Sequence, residues 1–482
     1  MSILNSTIYQ LADLLDKKEI SSVELTKTYL AQADKLQQKI AAYITIMADE
    51  ALKSAQESDQ RRQTAQTLGP LDGIPLALSD NFCTSGTVTT CASKMLENFL
   101  PPYNAACWQK LHDQGAVLLG KCNMDEFTVG SSSFFGNTKN PYDTEHPLDG
   151  SGGAAAIVAA RMAAYTLGVD TDGSLRRPAA SCGVVGLKPT YGRISRYGII
   201  PSVSSMDQAG ICSSSIADCA LLLATLAGQD ANDSTSAPVD PLDYTAACQD
   251  NLQGLKIGLP TEYFPADLDP LISKKVQEAA DKLQEMGAKI IPVSLPHSQY
   301  ASATGYILTA AEAGSNLSRY HGTCYGLRVE KNNVNDMFAA TRAQGFGEGI
   351  KMLTLMGIYF LSSGQYEAYY HKALQVRTLI KDDYDQVFNK VDALLTPTTL
   401  ATANKTPEAT NAKEPHEDKF FTVSANLAGL PALTIPYGLL DDRPFGLQLV
   451  GSAFDEGKLF TIGQALENIA GRSPLPKLAE EV

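Results

Sequence analysis

From residue 68 onward the chain keeps changing its hydrophobic period. Short apolar runs, GIPLAL (73–78), GAVLLGK (115–121) and GVVGLK (183–188), alternate with helical periods and with Gly/Pro turns. Strand and helix signals in alternation argue for an α/β fold, a sheet with helices packed against it. LKIGLP (255–260) starts another strand, residues 271–287 read as an amphipathic helix, and KIIPVSL follows as a strand. A long helical section at about 300–390 leads to DALLTP (392–397) and a final strand pair around ALTIP and GLQLVG.

The first sixty residues read differently. Residues 7–17 put Ile8, Leu11, Leu14 and Leu15 on one helix face, with Ser6 or Asn5 as the expected N-cap. Ser21 or Ser22 precedes a second amphipathic stretch with Leu25, Tyr29, Leu30 and Ala33. The polar run ESDQRRQTAQ (57–66) reads as a solvated helix end and linker. The chain shows no internal repeat and no linker rich enough in Gly, Pro or Ser to divide it. A single domain is therefore expected: an N-terminal helical segment (1–66), a core (67–230) and the remainder (231–482).

Charge and cysteine usage narrow the function. The 482 residues carry a net charge of −14, from 39 basic and 53 acidic side chains. No basic cluster interleaved with aromatics offsets this charge, so direct nucleic-acid binding by this chain alone is not expected. The nine cysteines are odd in number and form no CxxC pair, which reads as reduced thiols of a cytoplasmic protein. Neither a leader-like start nor an uninterrupted apolar run of membrane-spanning length appears. The six histidines (112, 146, 297, 321, 371 and 416) show no metal-ligand spacing, so no metal and no cofactor are expected.

The block from 130 to 180 is unusual in composition. DGSGGAAAIVAA (149–160) is a small-residue turn feeding an Ala-rich helix, and TLGVDTDGSLRRPAA and SCGVVGLKPTYG follow. Dense glycine lets backbone N–H groups converge on one point, as an oxyanion pocket requires; close helix–strand packing explains the glycines equally well. A serine, Ser174, stands in the middle of this block.

Here the sequence resembles the amidase signature family, and within it the A subunits of tRNA-dependent amidotransferases. The resemblance is carried by LDGIPLALSDN, TTCASKMLENF, GAVLLGKCNMDEF, the Ser174 block, GVVGLKPTYGRISRYGIIP and SSMDQAG. It continues in LKIGLPTEYF, AAEAGSNLSRYHG, GFGEGIK, LSSGQYEAYYHKALQVRTLI, DALLTPT, ANLAGLPALTIP and FGLQLVG. It implies a mixed, twisted sheet with helices on both faces. It also implies a lysine acting through one serine on a second, nucleophilic serine. A serine hydroxyl is a weak nucleophile at neutral pH and needs that adjacent base.

Carried over position by position, the pattern breaks. The nucleophile matches Ser174. The base lysine falls on Ser79, the relay serine falls on Gly150, and Ser151 matches the serine after it. The oxyanion positions become Thr171, Asp172 and Gly173, which puts a carboxylate beside the expected donors. Ser131, Ser132, Ser151 and Tyr306 are the expected substrate-side residues. Met352 and Leu353 stand where the A subunits carry arginines, and Lys419, or Asp418 with a one-residue slip, stands at their acidic substrate position. Lys121 is weighed as a substitute base and set aside as a structural cation with nothing local to depress its pKa. Arg176 and Arg177 are expected to pair with Asp170 or Asp172, and Asp172 to reach solvent or an arginine such as Arg176.

The function expected from this pattern is a degenerate paralogue acting through ligand binding or complex assembly. The alternatives are altered acyl-transfer chemistry on Ser174 or a conventional amidotransferase component that hydrolyses glutamine. The resemblance implies the B and C subunits of an amidotransferase as partners and an amide-like small molecule as ligand. No membrane partner is expected.

Overall fold

A computed structural model describes residues 3–266, 268–400 and 419–480 of the chain. Among the described residues thirteen strands occur in chain order: β1 (Tyr43–Ile46), β2 (Pro75–Ser79), β3 (Val117–Cys122), β4 (Lys139–Asn140), β5 (Asp143–Pro147), β6 (Tyr165–Asp170), β7 (Val185–Lys188), β8 (Gln208–Ser213), β9 (Lys256–Pro260), β10 (Lys289–Val293), β11 (Ala393–Pro397), β12 (Ala432–Leu440) and β13 (Arg443–Gly451). Eleven of them form one sheet in the order β1-β3-β2-β6-β8-β7-β12-β13-β11-β9-β10, and β4 and β5 make a separate ribbon.

The sheet is mixed. β3–β2–β6 run parallel, as do β11–β9–β10, and the central pairs from β6 to β11 are antiparallel. Every residue of β2, β3, β6, β7, β8 and β11 is buried. Strands buried at both parities lie in a sheet covered on both faces. The helix Gly152–Ala159, buried along its whole length, packs on β2 and β6; the helix Glu456–Ala470 packs on β12 and β13. A satellite core of Cys91, Met95, Phe127, Tyr320, Phe346 and Ile350 lies apart from the main one.

The strands read from GIPLAL, GAVLLGK, GVVGLK, LKIGLP, KIIPVSL, DALLTP, ALTIP and GLQLVG all form. The helix over 271–287 forms as Pro270–Glu285. Two local expectations fail. The first long helix, Ile8–Asp16, is capped by Thr7 and not by Ser6 or Asn5, because Thr7 completes a reciprocal capping box with Gln10. The run 57–66 is no linker. It ends the helix Ala48–Gln63, where Arg61 grips buried Asp72 with two hydrogen bonds (2.7 and 3.1 Å) and Arg62 pairs with Asp16.

All nine cysteines are free thiols, seven of them buried. Among the described residues no helix is long and apolar enough to cross a membrane, and no group of side chains has the arrangement to hold a metal. His416 and Asp418 lie outside the described residues.

Candidate active centre

β6 delivers the loop Thr171–Ser174, which runs straight into the helix Arg176–Ser181. The loop is held from below by Asp170. This carboxylate accepts from Gly173 N–H (2.9 Å), from Arg176 Nε (2.9 Å) and Nη2 (3.0 Å), and from Asn426 Nδ2 (2.9 Å). Burial opposes its charge, but Arg176 and Asn426 outweigh burial and hold the carboxyl well below the usual carboxylate range. Arg176 is fully buried and also donates to Gln448 Oε1 (2.6 Å) and Thr422 O (3.1 Å), tying β6 to β13 and to the helix Phe420–Leu427. Gly173 sits at φ +102°, where a Cβ would collide with the Thr422 side chain, so only glycine fits.

Ser174 is 1% exposed, and its hydroxyl is fully engaged. The O–H donates to the carbonyl of Val169 (3.1 Å), while Oγ accepts from Thr171 N–H (3.0 Å). A peptide carbonyl cannot take a proton at neutral pH, so this partner does not activate the hydroxyl. Two of the expected oxyanion donors are also committed: Thr171 N–H to Ser174 Oγ itself and Gly173 N–H to Asp170. The Thr171 hydroxyl donates to Asp207, 2.7 Å away.

Gly150 lies directly against the nucleophile, at φ +57°. A Cβ added there would lie no more than 2.8 Å from Ser174 O, Cβ and Cα. The backbone here therefore has no room for a relay serine. Gly150 N–H donates to Asp125 Oδ2 and its carbonyl accepts from Asp125 N–H, each at 2.8 Å. Burial, reinforced by the charge of Asp149, pushes the Asp125 carboxyl up to about 8. Ser79 closes β2 with its side chain buried and its Oγ without a hydrogen-bond partner. A buried hydroxyl left in that state costs free energy and offers no base.

The other expected residues distribute as follows. The Ser151 hydroxyl donates to Val169 O (2.8 Å), the same carbonyl that receives Ser174. Ser131 and Ser132 are exposed, and Ser132 O receives Glu126 N–H (2.9 Å). Tyr306 packs edge-on to Phe360 at the rim of the satellite core, 6.3 Å between ring centroids. Met352 is exposed, whereas Leu353 is buried in the satellite core. Arg176 pairs with Asp170 as expected. Asp172 meets an arginine as expected, but it is Arg177 (3.6 Å) and not Arg176, and its shorter contact is with Lys419 (2.5 Å), which was not expected. Burial opposes the Asp172 charge, and these two cations still hold its carboxyl below the usual value.

Lys121 also differs from expectation. It is fully buried, donates to Phe82 O and Thr89 Oγ1 (3.2 Å), and lies 3.8 Å from Asp80. Burial does lower its pKa, with Asp80 opposing. It pairs in register with Leu78, one residue before Ser79, and its contacts are all structural. Sequence reading missed Asp125, Asn426, Thr422 and Gln448. Asp125 was in view within GKCNMDEF, but only folding brings it to Gly150; the other three lie more than 240 residues from their partners in the loop.

Comparison with known proteins places these features. A family model described as "Amidase" matches residues 24–460. The chain is 46% identical over 485 residues to the A subunit of glutamyl-tRNA(Gln) amidotransferase from Heliobacterium modesticaldum, covering 99% of this chain and all of that one. The protein of the same name from Geotalea daltonii is 48% identical over 474 residues, with 97% and 98% covered. A crystal structure of the Thermotoga maritima protein of that name superposes with a TM-score of 0.82 at 34% identity, covering 99% of both chains. The native peptide amidase of Stenotrophomonas maltophilia gives 0.84 at 32% identity, with 98% of both covered.

Proposed function

The chain belongs to the amidase family, and from that premise we propose that it is a relative of the amidotransferase A subunits that does not hydrolyse carboxamides by the family's serine relay and acts through ligand binding or assembly. The observation that carries this reading is the Ser174 hydroxyl, which donates to the Val169 carbonyl and, among the described residues, has no base within hydrogen-bonding reach. Ser79 and Gly150 stand where the resemblance puts the lysine and the relay hydroxyl, and neither can accept a proton from Ser174. Removing a general base forfeits ~10²–10⁴ in rate, and filling an oxyanion loop's donors forfeits a similar amount, although such losses do not simply multiply.

The exposed side of the helix Glu348–Leu361 supports assembly. Ile350, Leu353, Gly357 and Phe360 face inward, while Met352, Leu355 and Ile358, each about 60% exposed, line an apolar strip on the other side. A strip of this kind is what a partner protein covers, as the B and C subunits would in an amidotransferase.

A second reading, a conventional glutamine-hydrolysing component of an amidotransferase, is favoured by the comparisons: the A subunits of glutamyl-tRNA(Gln) amidotransferases match at 46–48% identity over almost the whole chain. The comparisons alone support it better than the first; the geometry at Ser174 supports the first. An amide- or ester-bearing acylating probe with mass spectrometry separates them. Labelling of Ser174 that disappears in Ser174→Ala, with ammonia released from glutamine, establishes the conventional enzyme. No labelling and no turnover, alone or with co-purifying subunits, supports the binding protein.

A further inference from the structure

Four side chains from three separate segments form a chain of ion pairs over the loop. Lys419, immediately before the helix Phe420–Leu427, holds Asp172 Oδ2 at 2.5 Å. Arg177 lies 3.6 Å from Asp172 Oδ1 and donates to Asp172 O (3.0 Å), and its other amino group grips Asp149 at 2.6 Å. The Thr422 hydroxyl also donates to Asp172 O (2.8 Å), so Asp172 fastens this helix to the nucleophile loop. Two carboxylates face two cations. Among the described residues Asp170 is occupied by Arg176 and Asn426, Asp207 accepts from the Thr171 hydroxyl, and burial pushes the Asp125 carboxyl up to about 8.

We propose that the Asp172 carboxylate occupies a seat for a small carboxylate-bearing ligand, and that such a ligand enters by displacing Asp172 from Lys419 and Arg177. The proposal rests on the reading of this centre as a binding site. Lys419 and Asp149 are partly open to solvent, their side chains 34% and 53% accessible, whereas Asp172 and Arg177 are buried at 11% and 7%. A ligand therefore meets Lys419 first. Arg177 stays anchored by Asp149 when Asp172 leaves, so the seat keeps its shape. A tethered carboxylate competes at high effective concentration, which makes the resting site closed to weak anions. Removing Asp172 leaves Lys419 without its counter-ion beside a half-neutralised guanidinium, a net positive pocket with carboxylate-shaped donors.

Titration calorimetry with glutarate as probe tests this on the full chain. Asp172→Asn is expected to bind glutarate about tenfold or more tightly than the unaltered chain, with the gain lost in Asp172→Asn/Lys419→Met. Equal affinities for the unaltered chain and Asp172→Asn, including no binding by either, overturn the proposal, as does a gain that survives Lys419→Met. Hydrogen exchange of residues 420–427 in the unaltered chain reads the same seat without any substitution. Saturating glutarate is expected to speed exchange there by releasing the latch, and no change contradicts it. Glutarate carries no amide, so these outcomes stand apart from the test of hydrolysis. Turnover of amides would sink the reading of the centre as non-hydrolytic, while failed glutarate binding would sink only the seat.

Discussion

Asp170 and Ser174 sit on the same short loop, and their surroundings differ in kind. Asp170 is buried with Arg176, Asn426 and the Gly173 N–H all directed at it, and Arg176 in turn reaches Gln448 and Thr422. Ser174 has only a carbonyl to donate to, and the residue packed against it is Gly150, where a Cβ has no room. The first arrangement shapes the loop; the second would have to run the reaction. The contrast teaches that a satisfied polar frame around Asp170 can hold the shape of the loop whether or not the Ser174 hydroxyl beside it is activated.

The largest expected effect probes the frame. Arg176→Ala leaves Asp170 charged, buried and unpaired, and should cost about 3–5 kcal/mol in urea unfolding. A loss below about 1 kcal/mol would show that the frame is not what holds the loop.

The next probes Asp125, between the two regions. Its carboxyl stays protonated up to about 8 in the fold. In the unfolded chain an aspartate ionises near pH ~4. The folded state thus binds the extra proton, and this group's contribution to stability falls as pH rises from about 4 to about 8, then levels. Asp125→Asn keeps an acceptor for Gly150 N–H and removes that slope. Its stability relative to the parent should rise by on the order of 3 kcal/mol between about pH 5 and pH 8, measured by urea titrations at both values.

How much of this was legible in the sequence depends on the range of the interaction. Strands such as Pro75–Ser79 and Val117–Cys122 were readable because their apolar runs and flanking turns are local. The β4–β5 ribbon was not, since Asp143–Pro147 is polar and half exposed; β1 was missed despite the apolar run AAYITIM (41–47), because the residues around it read as helical. β6 was hidden because TLGVD lies between an Ala-rich helix and the glycine-rich loop with no turn signal of its own. The flanking motifs singled out Gly150 and Ser174, which the fold brings into contact. Of the partners of Asp172, Arg177 was legible as a near neighbour and Lys419 was not, because it reaches Asp172 across 247 residues.

The centre itself gives smaller effects. Gly150→Ser should destabilise the fold by about 2 kcal/mol or more, because the new Cβ meets the Ser174 backbone at a left-handed φ. Combining it with Ser79→Lys restores the side-chain types of the relay but not the space. The double variant is expected to unfold more readily and to gain no Ser174-dependent hydrolysis; a gain would show that the 149–151 backbone yields and would break the contrast. Ser174→Ala should cost only about 1 kcal/mol, the worth of one buried hydroxyl's hydrogen bonds.

Ammonia release from glutamine, with the full chain alone and with any proteins that co-purify, compared against Ser174→Ala under identical conditions, tests the central claim most directly. The account predicts that the two proteins are indistinguishable from each other and from the uncatalysed background. Release at about 1 s⁻¹ or faster that vanishes in Ser174→Ala would contradict it.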